Sequence, residues 1–161
     1  MAASIQLVAP RWSSSGVYLA AKASLDVATG VAYVPVVFTP DGRFVALGRT
    51  SEQGFDAFGW SPVADELAYG LGRENWITEV YVLDVAAGAD TPLVTPPGRD
   101  ALVISGLAWS PTGRWVALTA WKSEGGGRFQ ALLRFIDVAT GDSWELDVNT
   151  SEELDVIGWG P

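Results

Sequence analysis

Along the chain, apolar runs alternate with short polar stretches rich in Gly, Pro, Asp and Ser. In "LAWSPTGRWVALTAW" (107–121) an apolar run closes on Trp-Ser-Pro, turns through Thr-Gly and resumes as Arg-Trp-Val-Ala-Leu. Val, Leu, Tyr and Trp fill the runs while Gly, Pro and Asp bound them, which is the punctuation of β-strands. No segment keeps the i, i+3, i+4 spacing of an amphipathic helix for three turns. The expectation is an all-β chain with almost no helix.

The runs also repeat. Trp12, Trp60, Trp109 and Trp159 each precede Ser or Gly, at separations of 48, 49 and 50 residues. So even a spacing marks a structural repeat. "FGWSPVADELAYGLGRENWITEVYVLDVAAGADTPLVT" (58–95) matches "LAWSPTGRWVALTAWKSEGGGRFQALLRFIDVATGDSWELD" (107–147) piece for piece. Each reads as a strand ending in Trp-Ser-Pro, a tight turn, a second strand, a polar loop, a longer strand ending in Asp-Val, a Gly turn and a fourth strand. Four short antiparallel strands in about 45 residues make one blade of a β-propeller. The expected division is a blade at 58–106, a blade at 107–156 and the start of another at 157–161. The segment 10–57 departs from the pattern, because only 14 residues separate Trp12 from Asp26 and a second start motif stands at Phe38. It reads as one degenerate blade or as two half-blades, and the doubled start motif favours the half-blades.

The pattern resembles the PD40, or TolB-like (WD40-like), propeller repeat, whose signature is an aromatic residue, Ser-Pro-Asp-Gly-Arg/Lys and a strand. "FTPDGRFVAL" (38–47) and "WSPTGRWVAL" (109–118) match it best, with weaker copies at "WSSSGVYLA" (12–20), "WSPVADELAY" (60–69) and "WGP" (159–161). A second signature, a strand leading into Asp-x-x-Thr-Gly, resembles "LDVATG" (25–30), "LDVAAG" (83–88) and "IDVATG" (136–141). The resemblance spans nearly the whole chain. It implies propeller blades and no particular activity, since such repeats serve as scaffolds, binding platforms and accessory domains of enzymes.

Composition narrows the chemistry. The chain of 161 residues is 48% hydrophobic, with eight Trp, 18 Gly and 9 Pro, which fits a packed domain rich in turns. It has neither Cys nor His. Disulfides, thiolate nucleophiles, zinc-thiolate sites, imidazole ligands and a Ser-His-Asp triad are therefore excluded. A net charge of −9 opposes binding to a phosphate backbone, so no nucleic-acid partner is expected. The apolar runs are too short for a membrane span, and "MAASIQLVAPRW" lacks the features of a signal peptide. The compartment stays open.

Most polar residues at recurring positions read as structural. Asp41 in Pro-Asp-Gly is a turn residue, and Asp26, Asp84 and Asp137 end strands where a short carboxylate accepts backbone N–H groups. "DVATGD" (137–142) lacks the dense acidic spacing of a calcium loop, and "EGGGR" (124–128) lacks the context of a phosphate cradle. No metal, cofactor or catalytic residue is expected. Trp12, Trp60, Trp109 and Trp159 are expected in the core, where sheets pack on one another.

The candidate binding residues are Arg73, Asn75, Trp76, Trp121, Lys122 and Arg128. They belong to the longer loops "GRENWI" (72–77) and "WKSEGGGRF" (121–129), between the second and third strands of a blade. Aromatic rings beside Arg are typical of interface hot spots. That end of the blades also holds Lys22, Arg49 and Arg99, and its charges balance to zero. The leading expectation is a non-catalytic scaffold that binds a protein or peptide there. The alternatives are an accessory propeller of a larger enzyme, such as a prolyl-oligopeptidase-like peptidase, and a carbohydrate-binding propeller that stacks sugars on Trp76 or Trp121. Propellers close with about four to eight blades, whereas this chain holds about three. Either the chain is part of a longer one, or copies of it form a homo-oligomer that closes the ring, or the terminal strand pairs with "SIQLVAP" (4–10) in a flattened sandwich.

Overall fold

A computed structural model of the chain describes residues 5–27, 30–51, 57–73, 76–94, 102–125 and 128–148. The first sheet contains β1 (Ile5–Trp12), β2 (Leu19–Val27), β3 (Gly30–Phe38) and β4 (Phe44–Leu47). The second contains β5 (Phe58–Trp60), β6 (Glu66–Arg73), β7 (Trp76–Asp84) and β8 (Ala89–Val94). The third contains β9 (Leu102–Trp109), β10 (Trp115–Gly125), β11 (Arg128–Asp137) and β12 (Ser143–Asp147). Each sheet is an antiparallel meander in chain order, and no helix occurs among the described residues.

The turns explain why Ser follows Trp. In 13–16, 39–42 and 110–113 the fourth residue is a Gly whose N–H donates to the first carbonyl at 2.9 Å. Those glycines hold φ of 71°, 82° and 69°, a region that costs Gly little. The Ser13 and Ser110 hydroxyls accept the N–H groups of Tyr18 (3.1 Å) and Trp115 (3.0 Å) across the turn. Both serines and Ser61 are buried, so the hydroxyl locks the hairpin from inside.

Strand alternation gives each sheet two faces, and the sheets stack on them. Ala20, Val37 and Ala46 of the first sheet pack against Phe58, Leu67, Tyr69, Tyr81 and Leu83 of the second. On the other face of the second sheet, Ala68, Val80 and Val82 pack against Ile104, Trp109, Val116, Leu118, Leu132 and Ile136 of the third. Polar groups in the first seam are paired. The Tyr69 hydroxyl donates to Asp90 Oδ1 at 2.7 Å and accepts the Arg49 N–H at 2.8 Å, while the Arg49 guanidinium lies 4.7 Å from the Tyr81 ring centre. Burial drives the Tyr69 phenol far above its usual range, an effect reinforced by Asp90 and partly opposed by the Arg49 N–H.

Residues 5–47 form one four-stranded sheet, not the two half-blades that the doubled start motif favoured. The motif at Phe38 is the turn between β3 and β4, and the second motif's Asp26 and Val27 end β2 while its Gly30 begins β3, opposite Val27. In the other sheets that second motif joins the third and fourth strands. The same punctuation is used at opposite ends of different sheets, because a tight turn needs Asp and Gly wherever it falls.

The Asp residues behave as turn groups. Asp84 accepts the N–H of Ala87 at 3.0 Å, and Asp137 accepts those of Ala139 (3.0 Å) and Thr140 (3.4 Å). Asp137 also accepts the Arg114 Nε–H at 2.8 Å. That bond, helped by the two backbone N–H groups, holds the carboxyl below its usual range against the opposing effect of burial. A depressed carboxyl stabilises the fold above its unfolded pKa of about 4, and this contribution disappears as pH falls through the lower folded value. Glu66 has the opposite sign, since burial and then the nearby Asp84 raise it. Urea midpoints from pH 7 to pH 2 should therefore fall less steeply below pH ~4 in Asp137→Asn than in the wild type. An unchanged acid limb would remove Asp137 from the account.

Candidate functional site

The recurring Trp residues show how one sheet sits on the next. Trp60 is half-buried against the first sheet, stacked on Tyr18 with ring centres 6.5 Å apart, and its indole N–H donates to the Arg11 carbonyl at 2.9 Å. Trp109 is buried against the second sheet, and its indole N–H donates to the Gly59 carbonyl at 2.9 Å. In both cases the acceptor is the residue just before the preceding Trp. Opposite these acceptors stand buried alanines: Ala20 pairs with Arg11 and Ala68 with Gly59. A methyl group there leaves room for the ring.

Trp12 corrects the expectation that all four Trp are core. It is 55% exposed, opposite Leu19 on the face of the first sheet that points away from the second. The physical reason is position in the series. Each Trp faces the preceding sheet, and among the described residues no sheet precedes the first. Trp159 lies outside the described residues.

The outer face of the first sheet is apolar throughout. β2 supplies Leu19, Ala21, Ala23 and Leu25, and β3 supplies Ala32, Val34, Val36 and Phe38, while Leu7 and Trp12 of β1 and Phe44 and Leu47 of β4 flank them. Ala21, Ala23, Val34 and Val36 form a cluster with Leu25 and Phe38 that contains first-sheet residues alone. Around it Leu7, Trp12, Phe44 and Leu47 are exposed, and Phe38 meets Phe44 edge to face at 6.2 Å. The outer face of the third sheet is similar, with Trp121, Leu133 and Phe135 in its middle and exposed Phe129, Trp144 and Leu146 towards its edge. Phe135 and Trp144 stack with ring centres 4.0 Å apart.

The residues selected from the sequence are arranged differently from the expected loops. Arg73 and Trp76 are paired strand residues of the β6–β7 hairpin, so "GRENWI" is mostly strand, and Asn75 lies outside the described residues. β10 runs through Gly125 and β11 begins at Arg128, so "WKSEGGGRF" is also mostly strand. Arg73, Trp76 and Arg128 are thus placed at the same end of two neighbouring sheets by the backbone. Trp121 is half-buried on the third sheet's outer face, paired with Ala131, and Lys122 is exposed. Two of the charges assigned to that end are placed elsewhere. Lys22 lies within β2 with its ammonium 5.8 Å from the Tyr33 ring centre, and Arg49 is stacked in the first seam. Arg99 lies outside the described residues. At the opposite end, the polar groups of the shallow cleft lined by Ser14, Ser15 and Asp65 already bind one another or nearby backbone, with Ser15 donating to Asp65 at 2.6 Å and Ser14 to the Ser61 carbonyl at 2.6 Å.

Sequence reasoning missed the first sheet's outer face. The signal lay in the repeat itself, because the first Trp of a stacked series has no earlier unit to pack on.

No protein-family model and no curated protein matches the chain. Several solved structures are similar in fold. The β-propeller domain of the Trilobed protease from Pyrococcus furiosus, which has an open velcro topology, is 14% identical with a TM-score of 0.64, covering 91% of this chain and 44% of that one. Pyrococcus horikoshii acylaminoacyl peptidase is 13% identical with a TM-score of 0.63, covering 88% of this chain and 25% of that one. Kuenenia stuttgartiensis hydrazine synthase is 15% identical with a TM-score of 0.59, covering 89% of this chain and 54% of that one. The chain thus spans between a quarter and about half of the length of these structures. Its three sheets are about three blades of an incomplete β-propeller.

Proposed function

We propose that the chain is a non-catalytic β-propeller module that engages protein partners through the outer face of its first sheet. The carrying observation is Trp12, which presents to solvent the group that Trp60 and Trp109 use to seat one sheet on another. Leu7, Trp12, Phe44 and Leu47 are exposed around a buried cluster of Ala21, Ala23, Val34 and Val36, and an exposed Trp among apolar neighbours has the character of an interaction hot spot. The partner that fits is a second antiparallel sheet with an aliphatic face and a strand carbonyl within reach of the indole; a second copy of this chain meets that description. The reading requires no cofactor, metal or nucleic acid. The repeat motifs support assignment to PD40 or TolB-like propellers, and the hairpin ends carrying Arg73, Trp76 and Arg128 provide a second zone of contact.

A second reading is favoured by the likeness to two peptidases and by the chain's span of 25% and 44% of their lengths. It makes the chain an accessory propeller of a larger enzyme, such as a prolyl-oligopeptidase-like peptidase. Further blades of the same polypeptide would then cover the Trp12 face.

Sedimentation equilibrium of this chain tests the first reading at about 0.15 M salt, where its negative charge is largely screened. The wild type should self-associate as concentration rises, while Trp12→Asp should stay monomeric with stability within about 0.5 kcal/mol of wild type. Trp121→Ala should associate as the wild type does. Association that survives Trp12→Asp would refute the assignment of the surface.

A further inference from the structure

One backbone irregularity decides which residues share the exposed side of β1 with Trp12. Side chains alternate along a strand, so Leu7 and Trp12, five residues apart, would face opposite ways on a regular one. They face the same way because β1 carries one extra residue. Leu7 and Val8 lie opposite Ala23 and Lys22, Arg11 and Trp12 lie opposite Ala20 and Leu19, and Ala9 and Pro10 together oppose Ala21 alone. This is a β-bulge in the first strand of the sheet. Ala9 absorbs it with φ of 53°, and among the described residues it is the one non-glycine with a positive φ. A Cβ makes that conformation costly, and strain of this kind persists where the surroundings demand it.

The third sheet uses the same device in a completed contact. Ile104 and Trp109 are also five residues apart. Gly106 and Ile104 lie opposite the consecutive residues Thr119 and Ala120, which leaves Ser105 as the extra residue of β9. The slip brings Ile104 and Trp109 to one face, where both are buried with Ala68, Val80 and Val82 of the second sheet. Leu7 and Trp12 are the corresponding pair of the first sheet, and both are exposed. The hairpin at 13–18 holds Trp12 opposite Leu19 whatever the strand does before it, since the Ser13 N–H donates to the Tyr18 carbonyl at 2.8 Å. Without the extra residue, the ladder running back from Trp12 would set Val8 opposite Ala23 and Leu7 opposite Ser24, turning Leu7 to the other face.

We propose that Ala9 is the positioning residue of the contact surface assigned to Trp12, and that Leu7 is the second anchor it sets there. The left-handed backbone at Ala9 keeps both anchors on one side of β1, so that a second copy of this chain meets them together, as the second sheet meets Ile104 and Trp109. The chemistry that fits the pair is a sheet face of small aliphatic side chains, like that of Ala68, Val80 and Val82. The proposal rests on the reading of Trp12 as a contact residue and adds the register which that contact requires.

Sedimentation equilibrium of full-chain variants, with cross-strand nuclear Overhauser contacts recorded in the dilute protein, tests it. Leu7→Asp should weaken self-association roughly tenfold or more, as loss of an anchor does. Ala9→Val should weaken it comparably, because a β-branched residue resists positive φ and the strand slips, replacing the Leu7–Ala23 contact by one between Leu7 and Ser24. Deleting Ala9 should do neither: the ladder becomes regular with Leu7 still opposite Ala23, and association equals that of the wild type. A merely structural Ala9 would give the reverse order, with the deletion the more damaging. An Ala9→Val chain that keeps the Leu7–Ala23 contact would overturn the proposal. So would association lost on deletion of Ala9 while that contact persists, or a Leu7→Asp chain that associates as the wild type does while Trp12→Asp stays monomeric. Association of Trp12→Asp equal to that of the wild type would instead overturn the reading of Trp12, and the proposal with it.

Discussion

Replacing Trp109 by Ala is expected to destabilise the protein by about 3–5 kcal/mol, the range for deleting a large ring from a packed core. The ring is 8% exposed and packs within the apolar cluster between the second and third sheets. Its loss leaves a cavity there and also removes the indole donor from the Gly59 carbonyl. Trp12→Ala is the matched control. It deletes the same side chain at the same repeat position, but Trp12 is 55% exposed, and the cost should remain within about 0.5 kcal/mol. Urea unfolding of the two variants makes the comparison, with Trp60→Ala expected between them. Equal costs at positions 12 and 109 would contradict the stacking order.

Tyr69→Phe should cost about 1–3 kcal/mol, although it removes one oxygen atom and creates almost no cavity. The hydroxyl lies between the Arg49 N–H and the Asp90 carboxylate, and the ring itself is fully buried. Without it, both groups lose a partner in the seam between the first two sheets. The variant also has a signature in alkali. Because the folded phenol is held protonated far above its usual range, the unfolded chain loses its Tyr69 proton first, from about pH 10 upward. Above that pH the unfolded state binds fewer protons, so wild-type stability falls as pH rises. Tyr69→Phe should lack this part of the decline. A loss below about 0.5 kcal/mol with an unchanged alkaline limb would show that the bonded trio contributes little.

Much of this architecture was legible because a blade punctuates its own sequence. Trp60-Ser-Pro and Trp109-Ser-Pro marked true strand ends, and Asp84 and Asp137 marked the turns they were expected to mark. The sequence misled where one motif can serve two positions. Phe38-Thr-Pro-Asp-Gly is a hairpin turn in the first sheet, not the start of a blade, since local turn chemistry carries no record of which pair of strands it joins. It misled again at residues 121–125, where Lys, Ser, Glu and Gly read as loop but extend β10. A strand there is set by pairing with β11, which overrides weak local propensity. The exposure of Trp12 could not be read from its own surroundings, because "RWSSSG" resembles the starts of the other blades. What differs is the neighbouring sheet, a tertiary property.

The role of the exposed Trp12 is read most directly from its indole N–H signal followed over a concentration series. If this face is the contact surface, the signal should shift and gain protection from exchange as association proceeds, while those of Trp60 and Trp109 stay unchanged. A Trp12 signal that remains constant while the solution mass rises would show that the chain associates elsewhere and contradict the account.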